Sequence, residues 1–134
     1  MYEYKGTVRR WVDGDTVDLD IDLGFDVVLS NQRVRLYGVN TPETRTRDLA
    51  EKARGLAAKE YVNQMAPQGT EVILQTEKYD AKGKFGRILG YIVVDIGSGT
   101  YNINKMLSLT SEWYRSLNNY KNLLIFRKDF HHHK

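Results

Sequence analysis

The chain has 134 residues, 28% of them charged, a net charge of +3 and no cysteine. That length makes one domain with room for a core that needs no cross-links, and the lack of thiols excludes disulfides, thiolate metal sites and cysteine nucleophiles. All three histidines fall at His131–His133 beside Lys134, a tag remnant or a native tail, so acid–base work in the body falls to carboxylates, lysines and tyrosines.

The charge is uneven: −2 over residues 1–50, +1 over 51–100 and +4 over 101–134. With much of the excess in the tail, the argument for an anionic partner is weak on charge alone. No apolar run approaches a membrane span, and the N-terminus carries no signal-peptide core. The expectation is a soluble monomer with no membrane contact and no obligate protein partner. A cytoplasmic or phage-encoded origin is favoured, and a mature secreted form stays open.

Tyr2 to Val12 reads as a first strand, followed by the turn Asp13-Gly14-Asp15-Thr16. Thr16 to Asp22 alternates Val17, Leu19 and Ile21 with Asp18, Asp20 and Asp22. The aspartates fail as a calcium loop, because Leu23 and Leu29 stand where such a loop needs glycine and glutamate. They are expected to form a solvated face. After a turn at Leu23-Gly24-Phe25-Asp26, a long strand runs from Val27 to Val39. Asp48 to Met65 is the clearest helix, with Asp48 as N-cap and Glu51 completing a capping box. Leu49, Ala53, Leu56, Ala57, Tyr61 and Met65 should face inward. Pro67 and Gly69 end it. Strands follow at Glu71–Glu77 and Ile88–Ile96, separated by a basic, turn-rich segment. Gly97-Ser98-Gly99 leads into a short helix from about Asn104, its expected cap. Three strands, a helix, two strands and a helix predict an α+β, mainly β, five-stranded OB-fold Greek-key barrel. Its helix lies between strands three and four, and further helices stand at the C-terminus.

The stretch Arg33 to Glu43 begins as a strand and ends as a loop at Pro42. It places Arg35 on the strand and Glu43 eight positions on. Alone, it is better read as a surface strand with an ordinary salt bridge. In a barrel of this order, however, the loops at Asp15, at Asn40–Glu43 and before Arg87 can converge on one edge.

Together, Asp13-Gly14-Asp15-Thr16-Val17, Arg35-Leu36-Tyr37-Gly38-Val39-Asn40-Thr41-Pro42-Glu43-Thr44 and Lys84-Phe85-Gly86-Arg87 resemble the three signature blocks of the staphylococcal (micrococcal) nuclease family. Order and separations match over about residues 4–107, and 108–134 is a divergent tail of the same single domain, 1–134. The resemblance implies a calcium-dependent phosphodiesterase, an endonuclease acting on DNA and RNA. It implies Asp15 as a carboxylate ligand of Ca2+, Thr41 as a ligand through its backbone carbonyl, and Asn40 at a position usually held by a second aspartate. Glu43 would be the general base or order the attacking water, and Arg35 and Arg87 would grip the phosphate. Lys84 would contact a terminal phosphate, and Phe85 stands in for a common tyrosine. Asn40 keeps an amide oxygen but removes a charge, so calcium should bind more weakly than with aspartate. In the tail, Trp113, Leu117, Tyr120 and Leu124 fall at helical spacing and should pack on the barrel. A nucleic-acid contact through Trp113, Tyr114 and Arg115 ranks second. The rival to an enzyme is a catalytically silent OB-fold module that only binds nucleic acid.

Overall fold

The computed structural model describes residues 1–77 and 87–117. Lys84 and Phe85, and the tail positions Tyr120 and Leu124, lie outside the described residues. The first three strands, β1 (Tyr2–Asp13), β2 (Thr16–Gly24) and β3 (Val27–Leu36), pair antiparallel as a meander. The helix α1 (Leu49–Met65) intervenes before β4 (Glu71–Thr76) and β5 (Ile88–Asp95). β4 pairs with β1 and with β5. β5 returns to β3 in parallel through Val34–Ile88, Arg35–Leu89 and Leu36–Gly90. The circuit is closed, and it is the five-stranded barrel that the element order predicts. A short strand, β6 (Thr100–Asn102), adds to the far half of β5 and was not anticipated.

Alternation fills the barrel with Val17, Leu19, Val34, Leu36, Leu74 and Ile92, all at most 1% exposed. β1 departs from strict alternation: a register shift between Val8 and Arg10 turns Trp11 inward. The Trp11 indole N–H then donates to the Ala66 carbonyl at 2.8 Å, fastening β1 to the end of α1. Through Ala57, Ala58, Tyr61 and Val62, α1 packs on the core. Leu49 does not face inward; it is the first residue of the helix and is 69% exposed. Asp48 caps the helix by accepting from Ala50 N and Glu51 N. The expected reciprocal bond from Glu51 is replaced by Thr46, whose hydroxyl accepts from Asp48 N at 3.2 Å and lies 3.5 Å from Glu51 Oε2.

Two further expectations are corrected. β3 ends at Leu36 rather than Val39, since Gly38 takes φ 74° and the Arg35 guanidinium draws the Leu36 and Val39 carbonyls toward itself. The aspartates of β2 are not a plain solvated face. Asp18 is 2% exposed beneath Arg10 and Arg33, its register partners on the two neighbouring strands. Asp20 accepts from Asn31 N at 2.8 Å where β3 bulges, and Asp22 accepts from Gly24 N at the turn.

The chain then enters α2 (Ile103–Leu109), capped by Asn102 rather than Asn104. Asn104 is instead buried as the second residue of the helix. Its amide accepts from Ile92 N and donates to the carbonyls of Tyr37 and Gly90. α3 (Ser111–Ser116) follows, with Tyr114 and Leu117 buried and Trp113 half-buried. Among the described residues no helix is long and apolar enough to cross a membrane.

Candidate active site

The site is built on the turn between β1 and β2. Gly14 is needed there because a Cβ would come within 2.9 Å of Ala58 Cβ on α1 and 3.1 Å of Thr41 Cγ2. The close approach seats Asp15, which is buried, against the loop that leaves β3. Asp15 Oδ2 accepts from Thr41 N at 2.9 Å, Oδ1 accepts from the Thr16 hydroxyl at 2.9 Å, and its carbonyl accepts from Leu36 N at 2.8 Å. One residue thus ties the end of β3 to the loop five residues further on.

Arg35 reaches the same carboxylate, with Nη2 at 3.4 Å from Asp15 Oδ2. That nitrogen is also 3.5 Å from Asn40 Oδ1. Through Nη1 the guanidinium donates to the Leu36 and Val39 carbonyls, so the chain wraps around its own arginine. A planar fork with donors on both ends can do this, whereas a lysine ammonium could not hold all four partners.

Glu43 is exposed, but the backbone on either side of it is held. Upstream, Thr41 N is fixed by Asp15. Downstream, the Thr44 hydroxyl donates to Asp13 Oδ1 at 2.7 Å. Beneath it, the carbonyls of Pro42 and Glu43 lie against Gly55 of α1, where a Cβ would fall 2.7 Å from either oxygen. Arg87 stands one residue before β5. Its strand joins β3 in parallel, and Arg87 lies two residues before Leu89, the register partner of Arg35. Alternation sets the two arginines on the same side of the sheet.

The structure therefore brings Asp15, Arg35, Asn40 and Thr41 into contact, carries Glu43 on the same loop and sets Arg87 one residue before the adjoining strand. Sequence reasoning places Asp13 in a turn and Asn104 at a helix cap and gives Gly55 no part; in the structure all three support the loop without belonging to it. A glycine inside the strongest helix was the available signal for Gly55, since it costs about 1 kcal/mol against alanine unless packing requires it. Tyr114 and Arg115 also reach this region. Arg115 lies over the Tyr114 ring at 5.5 Å and donates to the Asn40 carbonyl. Burial raises the Tyr114 phenol above its ordinary range, and Arg115 partly offsets this.

The molecule is thus a closed OB-type barrel bearing a buried carboxylate, a wrapped guanidinium and a proline-containing loop at one rim. Residues 33–111 match the family model described as staphylococcal nuclease homologue, and the chain belongs to that family. The chain is 34% identical over 96 residues to the thermonuclease of Staphylococcus intermedius, covering 72% of this chain and 51% of that protein. It is 31% identical over 107 residues to the endonuclease YhcR of Bacillus subtilis (strain 168), covering 76% of this chain and 8% of that protein. The SPbeta prophage-derived endonuclease YokF of the same organism is 30% identical over 89 residues, covering 66% of this chain and 28% of that protein. The chain thus spans about half the length of the thermonuclease and far less of the other two.

Proposed function

We propose that this chain is a calcium-dependent endonuclease hydrolysing DNA and RNA by water attack on a backbone phosphate. The observation that carries the reading is the bond from Thr41 N to the buried carboxylate of Asp15, with Arg35 at 3.4 Å from the same oxygen. It joins an oxygen-rich corner, the Arg35 guanidinium and the loop bearing Glu43.

The donor set suits a hard cation: a carboxylate from Asp15, an amide oxygen from Asn40 and a carbonyl from Thr41. The Thr41 hydroxyl is buried and has no hydrogen-bond partner among the described residues, an oxygen left available beside that corner. The set is light in charge, and no group of three or more acidic, histidine or cysteine side chains forms a metal cluster among the described residues. Calcium, when bound, would supply Lewis-acid polarisation of a phosphoryl oxygen. Glu43, exposed at the loop, would accept a proton from the attacking water as its oxygen bonds to phosphorus and the ester oxygen departs. Arg35 and Arg87 would donate to the equatorial oxygens, where charge accumulates in the transition state. By the family resemblance, Lys84 and Phe85 would bind the substrate beyond the scissile phosphate.

Digestion of single-stranded DNA with calcium, with chelator and with Arg87→Ala tests the proposal. Cleavage should need calcium and should fall about 10²–10³-fold in Arg87→Ala. Cleavage no greater than that of the variant overturns the enzyme. DNA binding retained without cleavage would make the chain a silent binding module instead.

A further inference from the structure

The peptide unit between Asn40 and Thr41 is held from both sides. Its N–H, on Thr41, donates to the buried Asp15 carboxylate at 2.9 Å. Its carbonyl, on Asn40, accepts from Arg115 Nη2. No peptide bond among the described residues is cis, so these two groups point in opposite directions across one rigid plane. Asp15 belongs to the turn after β1, and Arg115 belongs to α3, so two distant parts of the chain clamp a single plane. If the plane turned over, the Asn40 carbonyl would face the Asp15 carboxylate, oxygen against oxygen. Arg115 therefore opposes a specific rearrangement, one that would reverse the bond to Asp15 and re-aim the residues that follow.

Arg115 is itself placed for this. It lies over the ring of Tyr114, which is 1% exposed and so gives the guanidinium a fixed floor. Its own helix is tied down a second time, because Arg54 of α1 donates to the carbonyl of Leu117, which caps the end of α3. Arg115 also lies beyond the matched residues 33–111, in a stretch where the resemblance had faded.

We infer that Arg115 is a positioning residue: it locks the Asn40–Thr41 peptide plane and thereby sets the orientation of the loop that carries Glu43. The catalytic consequence rests on the nuclease reading; the locking itself does not. Two measurements separate the two. The first is amide hydrogen exchange by NMR. In Arg115→Ala, Thr41 N–H should exchange about ten-fold faster or more than in the parent, the loss expected for one charge-assisted hydrogen bond. Leu36 N–H, bonded to the Asp15 carbonyl without help from Arg115, should be unchanged and serves as the internal reference. Arg115→Lys keeps a donor and should restore much of the protection. Thr41 exchange that is unaltered in Arg115→Ala overturns the inference, whether or not the protein cleaves DNA. The second measurement is steady-state cleavage. Arg115→Ala should lower kcat by about ten- to a hundred-fold with little change in KM, as misplacement of a catalytic loop does. A raised KM with unchanged kcat and unchanged Thr41 exchange would make Arg115 a substrate contact and overturn the positioning role.

Discussion

Asp15 and Asp18 are both buried carboxylates on the same hairpin, and their surroundings give them opposite duties. Asp15 is bonded by a backbone N–H and a hydroxyl, with one arginine at the edge of reach, in a corner that opens to the loop. Asp18 is covered by Arg10 and Arg33, each 2.9 Å away on a neighbouring strand. For Asp18, burial by itself raises the pKa, but the hydrogen bonds and charges of Arg33 and Arg10 outweigh it, and the carboxyl ends below its ordinary value of 3.8. A carboxylate with a depressed folded pKa contributes stability that is complete above the unfolded value and is lost as pH falls through the folded one. Urea unfolding should therefore show Asp18→Asn to be about 1–2 kcal/mol less stable than the parent at pH 7, the arginines being half-exposed and partly screened. The gap should close toward pH 2, and a gap independent of pH would refute the role. From the sequence, Asp18 and Asp20 could be placed opposite the core. Their engagement with Arg10, Arg33 and Asn31 could not be read, because alternation assigns faces and says nothing of cross-strand register. Asn102 and Asn104 illustrate the same shortfall: either could cap a helix, and only the position of β5 decides which one is buried.

At the scale of elements, α1 was the best defined in advance, from Asp48 through to Met65, because cap, period and stop agreed. What the periodicity could not convey is that one side of this helix supports a loop rather than the core. Gly55 marks that side, with the Pro42 and Glu43 carbonyls seated where a side chain would begin. The same logic explains why the end of β3 was placed three residues late. Val39 is buried and continues the apolar pattern, but the chain has already turned at Gly38 around Arg35. A Gly55→Ala substitution sets two effects against each other. Helix propensity alone would stabilise by about 1 kcal/mol. The new methyl would meet two backbone oxygens at 2.7 Å, and backbone cannot move aside as a flexible side chain can. Overpacking of this kind costs about 1–3 kcal/mol, so the net effect on thermal stability should be neutral to destabilising. Cleavage should fall more than stability does, because the strain falls on the loop carrying Glu43. A variant that is both more stable and fully active would show that the loop does not depend on this contact.

Taken as a whole, the barrel closes where the candidate site is. The parallel pairing of β3 with β5 that completes the circuit sets Leu89, two residues after Arg87, opposite Arg35, and Asp15 ties the end of β3 to the loop at the same rim. The order of strands is enough to predict a barrel, yet the strands that meet at this rim are remote in sequence and only closure joins them. A ligand held at that rim would bridge the β1–β2 turn and the loop after β3, so its binding free energy should add to global stability rather than to one segment. At free calcium a hundred times the dissociation constant, the gain for a single site is about 2.7 kcal/mol. In the proposed calcium site, Asn40→Asp would add a second negative ligand, which should tighten calcium about ten-fold and enlarge the gain by about 1.4 kcal/mol at the same calcium concentration. In chelator the new carboxylate has no cation to offset its repulsion from Asp15, although Arg35, 3.5 Å from the Asn40 amide oxygen, would relieve part of it. The gap between melting temperatures with calcium and with chelator should therefore widen in Asn40→Asp and vanish in Asp15→Ala. An equal gap in Asn40→Asp and the parent would remove Asn40 from the ligand set. A gap that survives Asp15→Ala would mean that calcium acts somewhere other than this rim.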